Sequence, residues 1–144
     1  MAEQLTIFLS NNYEELPRLT KNTANFLQAK GFSHKTIFYA ELALEEIVTN
    51  IIKYGYEDHA PHVISVFFET DSREITIVCE DDGHAFNPLH APPPDLDAPV
   101  LERKVGGLGI HLVKEMMDYV VYRREEGKNI VTMKILDKRC SCEA

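Results

Sequence analysis

The chain has 144 residues, of which 44% are hydrophobic and 26% charged, a composition typical of one soluble globular domain. Its formal charge of -8 and its lack of a basic patch argue against binding to nucleic acid. No apolar stretch is long enough to cross a membrane and no secretory signal is visible, so we expect no membrane association and a cytoplasmic location.

The three cysteines favour reduced thiols over a disulfide framework. Their number is odd, and Cys79 lies within the apolar run ITIVC. Cys140 and Cys142 fall at the C-terminal end, where no further Cys or His pair at zinc-ligand spacing accompanies them. We therefore predict one domain over residues 1–138, followed by a tail over residues 139–144.

The first third of the chain predicts one strand and two helices. Residues 4–9 (QLTIFL) are rich in strand formers, and a polar turn leads to a helix over about 14–30. Ser33 is a good N-cap for a second helix that runs to about Tyr54 and ends at Gly55. The apolar stripe of this second helix consists of Ile37, Ala40, Leu44, Ile47, Val48 and Ile51.

Two strands and a long irregular loop come next. Residues 62–69 and 74–80 are strand-like, and the DSR sequence between them suits a hairpin turn. Five of the seven prolines then fall within residues 88–99. Proline cannot donate to a strand ladder or sustain a helix, and a loop this long in a compact domain is commonly a functional lid or a disordered segment. We predict a lid over about 84–106.

The last part of the chain predicts a helix and a second hairpin. A short helix follows the glycines at 106 and 107, and strands over 119–125 and 129–136 are joined by the turn EEGKN. Short turns within the strand pairs indicate a mostly antiparallel sheet. The predicted fold is therefore α+β, a two-layer sandwich with three helices on one face of the sheet.

The motif EEIVTN, residues 45–50, lies on the second helix. Glu46 and Asn50 are four residues apart, so their side chains share one helix face, a single turn apart. An amide oxygen can bind a hard cation such as magnesium, and a carboxylate can take a proton from a hydroxyl. The alternative is that both are ordinary polar residues on the solvated face of the helix.

Two further motifs are weak when each is taken alone. In EDDGHAF, residues 80–86, a buried Asp81 is suited to accept a hydrogen bond from an adenine amine, with Gly83 letting the backbone come close to the base, or the motif forms only a tight turn. In VGGLGI, residues 105–110, glycines at a helix start can present amides to phosphate, or they are merely flexible.

The order of the three motifs carries more information than any one of them. A helix with ExxxN, a strand ending in DxGxA, a lid-like loop and then GLG at a helix start together resemble the histidine-kinase-like ATPases. EEIVTNIIKYGYED and GGLGIHLVKEMMD are similar to the corresponding boxes of the bacterial anti-sigma serine kinases. The resemblance covers about residues 33–136 and implies a Bergerat-type ATP-binding fold.

The resemblance also implies roles for particular residues. Glu46 corresponds to the general base, Asn50 to the magnesium ligand and Asp81 to the adenine-recognising carboxylate. The nucleotide-binding residues further include Gly83 and Ala85 in the adenine pocket, and Gly107, Leu108 and Gly109 as donors of amides to the phosphates. Ala85 departs from the usual second glycine of its box. Arg103 and Lys104 are either partners of the terminal phosphate or solvated lid charges.

The implied activity is that of an anti-sigma-type kinase. Such a kinase transfers the γ-phosphate of magnesium ATP to a serine or threonine of a small anti-anti-sigma protein. The resemblance also allows for binding of a sigma factor and for a homodimer, in which an apolar first strand is either an exposed edge or an inner strand. The alternative function is a nucleotide-gated protein-binding switch without significant turnover.

Overall fold

The computed structural model describes residues 3–90 and 106–138, with side chains throughout except at 106–108. Every predicted helix and strand is present, with ends within a few residues of the prediction. In chain order the elements are β1 (Glu3–Ser10), a 3₁₀ turn (Tyr13–Glu15), α1 (Leu16–Ala29), α2 (His34–Tyr54), β2 (Val63–Asp71), β3 (Glu74–Asp81), α3 (Gly106–Met116), β4 (Tyr119–Glu125) and β5 (Lys128–Leu136).

The five strands form one antiparallel sheet in the order β1-β2-β3-β5-β4. The prediction of an antiparallel sheet is thereby confirmed. β1 is an edge strand, and its Phe8 side chain is 64% exposed. The β4–β5 turn contains only Glu126 and Gly127, with φ of 51° and 77°. Positive φ at both turn residues matches the twist of a two-residue hairpin, so β5 begins at Lys128, one residue before the predicted strand.

The core lies between one face of the sheet and the helices. Every second residue of β2 and β3 is buried, as expected for a sheet covered on one side. α2 packs against both α1 and α3, and its predicted apolar stripe is buried throughout. The largest fully buried side chains are Phe68, Leu9, Leu19, Leu27, Leu44, Ile47, Ile51, Ile64, Ile75, Ile77, Met133 and Ile135. The α+β two-layer prediction is confirmed.

The first turn of α2 is tied to the end of β5. The Ser33 hydroxyl caps the helix by accepting from the Thr36 amide at 3.2 Å. Oδ1 of the buried Asp137 accepts from the Ser33 amide at 3.1 Å and from the Thr36 hydroxyl at 2.8 Å. The Lys138 amide donates to the same Thr36 oxygen at 2.6 Å. This network sets the position of α2 over the sheet.

Most of the predicted lid, residues 91–105, lies outside the described residues, and so do Arg103, Lys104, Cys140 and Cys142. At the start of the loop, Pro88 and Leu89 are buried against the domain. The third cysteine, Cys79, is a free and buried thiol. Within the described residues, no helix has the length and apolar character that crossing a bilayer requires.

Candidate functional site

Asp81 is the last residue of β3 and is only 3% exposed. Its Oδ1 accepts from the Gly83 amide at 2.9 Å and from Nδ2 of Asn129 at 3.0 Å. Burial raises the pKa of the Asp81 carboxyl, and these two hydrogen bonds oppose that shift. No described residue donates to Oδ2. One oxygen is thus fixed by the protein, and the other can accept a further hydrogen bond.

Gly83 lies close to another part of the protein backbone, a contact different from the predicted approach of its backbone to an adenine base. A Cβ at Gly83 would lie 2.2 Å from the carbonyl oxygen of Gly55, the residue that ends α2. The amide of His84 donates to the same carbonyl at 3.1 Å. The loop after β3 is therefore held against the C-terminal end of α2.

Asn129 is a member of the site that the sequence analysis did not single out, because it stands where the turn EEGKN meets the predicted strand 129–136 and no motif marks it. It lies in β5, is 1% exposed, and its Nδ2 donates to the His84 carbonyl at 2.8 Å as well as to Asp81. Its Oδ1 accepts three hydrogen bonds, from the Tyr122 hydroxyl at 2.6 Å, Nη1 of Arg124 at 3.0 Å and the Phe86 amide at 3.3 Å.

Arg124 is an exposed residue of β4 that also contacts the loop after β3. In the structure, Nη1 of Arg124 donates to the Gly83 carbonyl at 2.8 Å and to Asn129. Arg124 thus braces the loop that carries Gly83.

Glu46 and Gly109 bring the first and third motifs together between α2 and α3. A Cβ at Gly109 would lie 2.1 Å from Cδ of Glu46 and 2.2 Å from its Oε2. Glu46 is half-buried, and burial, followed by the charge of Glu45, raises the pKa of its carboxyl. The absence of a side chain at Gly109 is what lets the carboxylate reach the first turn of α3.

Asn50 is 2% exposed, so the alternative that it belongs to the solvated face of α2 is wrong. Its Nδ2 donates to the carbonyl oxygen of Pro88 at 3.0 Å. This bond fixes the orientation of the amide and leaves Oδ1 without a partner among the described residues. A free amide oxygen suits a hard cation such as magnesium. Residues 3–90 and 106–138 contain no group of three or more His, Cys, Asp or Glu that could hold a metal ion.

The remaining predicted site residues lie on the same two segments. Gly107, Leu108 and Gly109 fall in the first turn of α3, which begins at Gly106, so their amides have no acceptor within the helix. Ala85 is exposed in the loop after β3. Glu46 and Gly55, which contact Gly109 and Gly83 respectively, are about 14 Å apart along α2 at the usual rise per residue.

The model of the histidine kinase-like ATPase domain matches residues 9–135 of this chain. The chain belongs to the histidine kinase-like ATPase family. The resemblance predicted from the order of the three motifs is thereby confirmed.

Curated relatives of this histidine kinase-like ATPase include the serine-protein kinase RsbW of Staphylococcus aureus strains JH9 and Newman. Each is 30% identical over 140 residues, which cover 94% of this chain and 87% of the relative. The prediction of an ATP-dependent protein kinase is confirmed at this level.

A solved structure shows the same fold. The crystal structure of the RsbU and RsbW domains of Rv1364c from Mycobacterium tuberculosis matches with a TM-score of 0.67 and 14% sequence identity. The match covers 96% of this chain and 33% of that chain, so this ATPase domain spans about a third of its length.

Proposed function

We propose that this histidine kinase-like ATPase transfers the γ-phosphate of magnesium ATP to a serine or threonine of a small anti-anti-sigma-type protein. The observation that carries the proposal is the direct approach of the Glu46 carboxylate to Gly109 at the start of α3. A proton acceptor and a cluster of free amides meet there, which is the pair of functions that phosphoryl transfer needs from a protein.

In this proposal Asp81 recognises the base. Its Oδ2 accepts a hydrogen bond from the exocyclic amine of adenine, while Oδ1 stays bonded to Gly83 and Asn129. Gly83 and Ala85 line the adenine pocket. Because Gly83 is pressed against the end of α2, the base and the phosphates are held along a single helix.

The phosphates lie toward α3. The amides of Gly107, Leu108 and Gly109 donate to phosphate oxygens, and the positive end of the helix dipole favours the negative charge. Asn50 would hold magnesium through Oδ1, and magnesium would supply positive charge to offset that of the phosphates. The hydrogen bond from Asn50 to Pro88 keeps that oxygen pointing in one direction.

Glu46 acts as the general base. It accepts the proton of the attacking serine or threonine hydroxyl while the hydroxyl oxygen forms the new bond to phosphorus and ADP leaves. The raised pKa of the half-buried carboxyl, caused first by burial, suits this role because it makes Glu46 a stronger proton acceptor than an exposed glutamate.

The proposed partners come from the resemblance of the motifs to the anti-sigma serine kinases, which implies an anti-anti-sigma protein as the phosphoacceptor and a sigma factor as a second partner. Similarity to the serine-protein kinase RsbW supports the kinase activity itself. We also propose a homodimer, for which the exposed edge strand β1 is available, and a cytoplasmic location.

The first test is transfer of labelled γ-phosphate from magnesium ATP to proteins in an extract of the source cell. Wild type is expected to label one small protein on serine or threonine, and Glu46→Ala to label none while still binding ADP. Asp81→Asn, in contrast, is expected to lose nucleotide binding first. Equal loss of binding in both variants would count against the two assigned roles.

The same experiment separates the alternative function. Tight ADP binding without any labelling by wild type would favour a nucleotide-gated binding module over a kinase. Absence of both binding and labelling would contradict the nucleotide site itself.

A further inference from the structure

The amide of Asn129 connects β5, β4 and the loop after β3. Nδ2 faces two acceptors, Oδ1 of Asp81 and the His84 carbonyl. Oδ1 faces Nη1 of Arg124 and the Phe86 amide, which are groups that can only donate. Rotating the amide by 180° would set donors against donors and acceptors against acceptors, so the surroundings admit one orientation.

The orientation of the Asn129 amide determines which carboxylate oxygen of Asp81 is occupied by a donor from the protein. Nδ2 of Asn129 occupies Oδ1 of Asp81 at 3.0 Å, in a place where Asn129 is 1% and Asp81 3% exposed. Water cannot easily replace a donor lost from such a position. Without Nδ2, the Gly83 amide, two residues further along the chain, would be the one remaining donor to the Asp81 side chain among the described residues.

We propose that Asn129 is a positioning residue for nucleotide binding, which holds the Asp81 carboxylate so that Oδ2 faces the adenine amine. The proposal rests on the nucleotide site described above and adds a residue to it that touches neither nucleotide nor phosphate. Arg124 and Tyr122 support this positioning, because both donate hydrogen bonds that hold Oδ1 of Asn129 in place.

Asn129→Asp tests the proposal because it changes one atom of the side chain and leaves its shape intact. Oδ1 can still accept from Tyr122 and Arg124, but the oxygen that replaces Nδ2 faces two acceptors, Oδ1 of Asp81 and the His84 carbonyl. When both carboxyl groups are ionised they repel, and Asp82 adds further negative charge. When one proton is bound, it lies between the two carboxyl groups and takes the place of the lost amide hydrogen.

The expected result is therefore a pH-dependent defect. By calorimetry with magnesium ADP, Asn129→Asp is expected to bind about 10- to 100-fold more weakly than wild type at pH 8, the range for one lost hydrogen bond to a charged group. The ratio of the ADP dissociation constants of Asn129→Asp and wild type should decrease as the pH falls toward 6. The charged and titratable groups around the pair, namely Asp82, Arg124, Tyr56 and Tyr122, are the same in both proteins. Asn25→Asp, an identical charge change at an exposed position on α1, should match wild type at both pH values.

Two outcomes would overturn the proposal: equal affinities of Asn129→Asp and wild type at pH 8, or a deficit of the same size at every pH. The second would show a structural defect only, because repacking of β5 has no reason to be reversed by a proton. If wild type bound no ADP, the proposed nucleotide site would fail and this inference with it.

Tyr122→Phe provides a second variant in case Asn129→Asp does not fold. It removes one donor to Oδ1 of Asn129 and leaves the bond to Asp81 in place. We expect a smaller loss of ADP affinity, up to about 10-fold, without the pH dependence. Unchanged ADP affinity in Tyr122→Phe would show that Tyr122 does not support the positioning of Asn129. Unchanged affinity in the further variant Asn129→Ala would overturn the proposal.

Discussion

Replacing Gly109 by alanine adds one methyl group at the point where α3 meets the Glu46 carboxylate. The new Cβ would lie 2.1 Å from Cδ of Glu46, whereas ordinary van der Waals contact begins at 3.4 Å. The carboxyl carbon must therefore withdraw by about 1.3 Å, the difference between these two distances. Its glutamate chain is flexible, so the carboxylate can move while the backbone stays in place.

The displacement should affect catalysis far more than stability. A misplacement of about 1 Å can lower a rate about 100-fold, so we expect kcat to fall by about that factor. A changed Glu46 rotamer costs about 0.5–1.5 kcal/mol, and replacing glycine by alanine within a helix stabilises it by about 0.5–1 kcal/mol. The free energy of unfolding should therefore change by less than about 1 kcal/mol. Alanine retains the backbone amide, so ADP affinity should also be preserved.

The assay is steady-state phosphorylation of the identified acceptor protein, together with calorimetric ADP binding and urea unfolding of the same preparations. Gly127→Ala serves as a control for adding a methyl group, because a Cβ at that turn position meets nothing within 4 Å. Because the φ of Gly127 is 77°, the Gly127→Ala variant is expected to be somewhat less stable, but its folded form should be fully active. Full turnover by Gly109→Ala would refute the assignment of Glu46 as the base held next to α3.

Two further predictions concern the other end of α2. Gly83→Ala would place a Cβ 2.2 Å from the backbone oxygen of Gly55, which cannot swing away, so we expect a loss of about 1–3 kcal/mol in urea unfolding and weaker ADP binding. The second concerns His62, whose pKa is raised by its hydrogen bond to Asp58 and by the charge of Asp82. Because the folded-state pKa of His62 lies above the ordinary value of 6.5, protonation of His62 stabilises the folded protein. This contribution to the free energy of unfolding is full below pH 6.5 and is lost as the pH rises through the folded-state pKa. The gap in urea midpoint between wild type and His62→Gln should accordingly be widest near pH 6 and close by pH 8.5, and a gap independent of pH would contradict the pairing.

Local sequence signals determined most of the secondary structure. Ser33 caps α2, the apolar residues of α2 recur at helical spacing, and Gly55 ends the helix, all within one segment. The strands and their hairpins follow in the same way from alternation of apolar residues and from turn residues. Because Glu46 and Asn50 lie one turn apart on one helix, their shared position also follows from the sequence.

Tertiary structure decided which of these residues became neighbours. Asn129 and Asp81 are 48 residues apart, and nothing in the sequence around either one marks their hydrogen bond. Asn50 stands among the polar residues of α2, yet the loop at Pro88 buries it. A short sequence motif predicts only contacts among residues that are close together in the chain. Three contacts of the site join segments that are remote in the chain: Glu46 with Gly109, Asn129 with Asp81, and Arg124 with Gly83. They form only when separate helices and strands pack together.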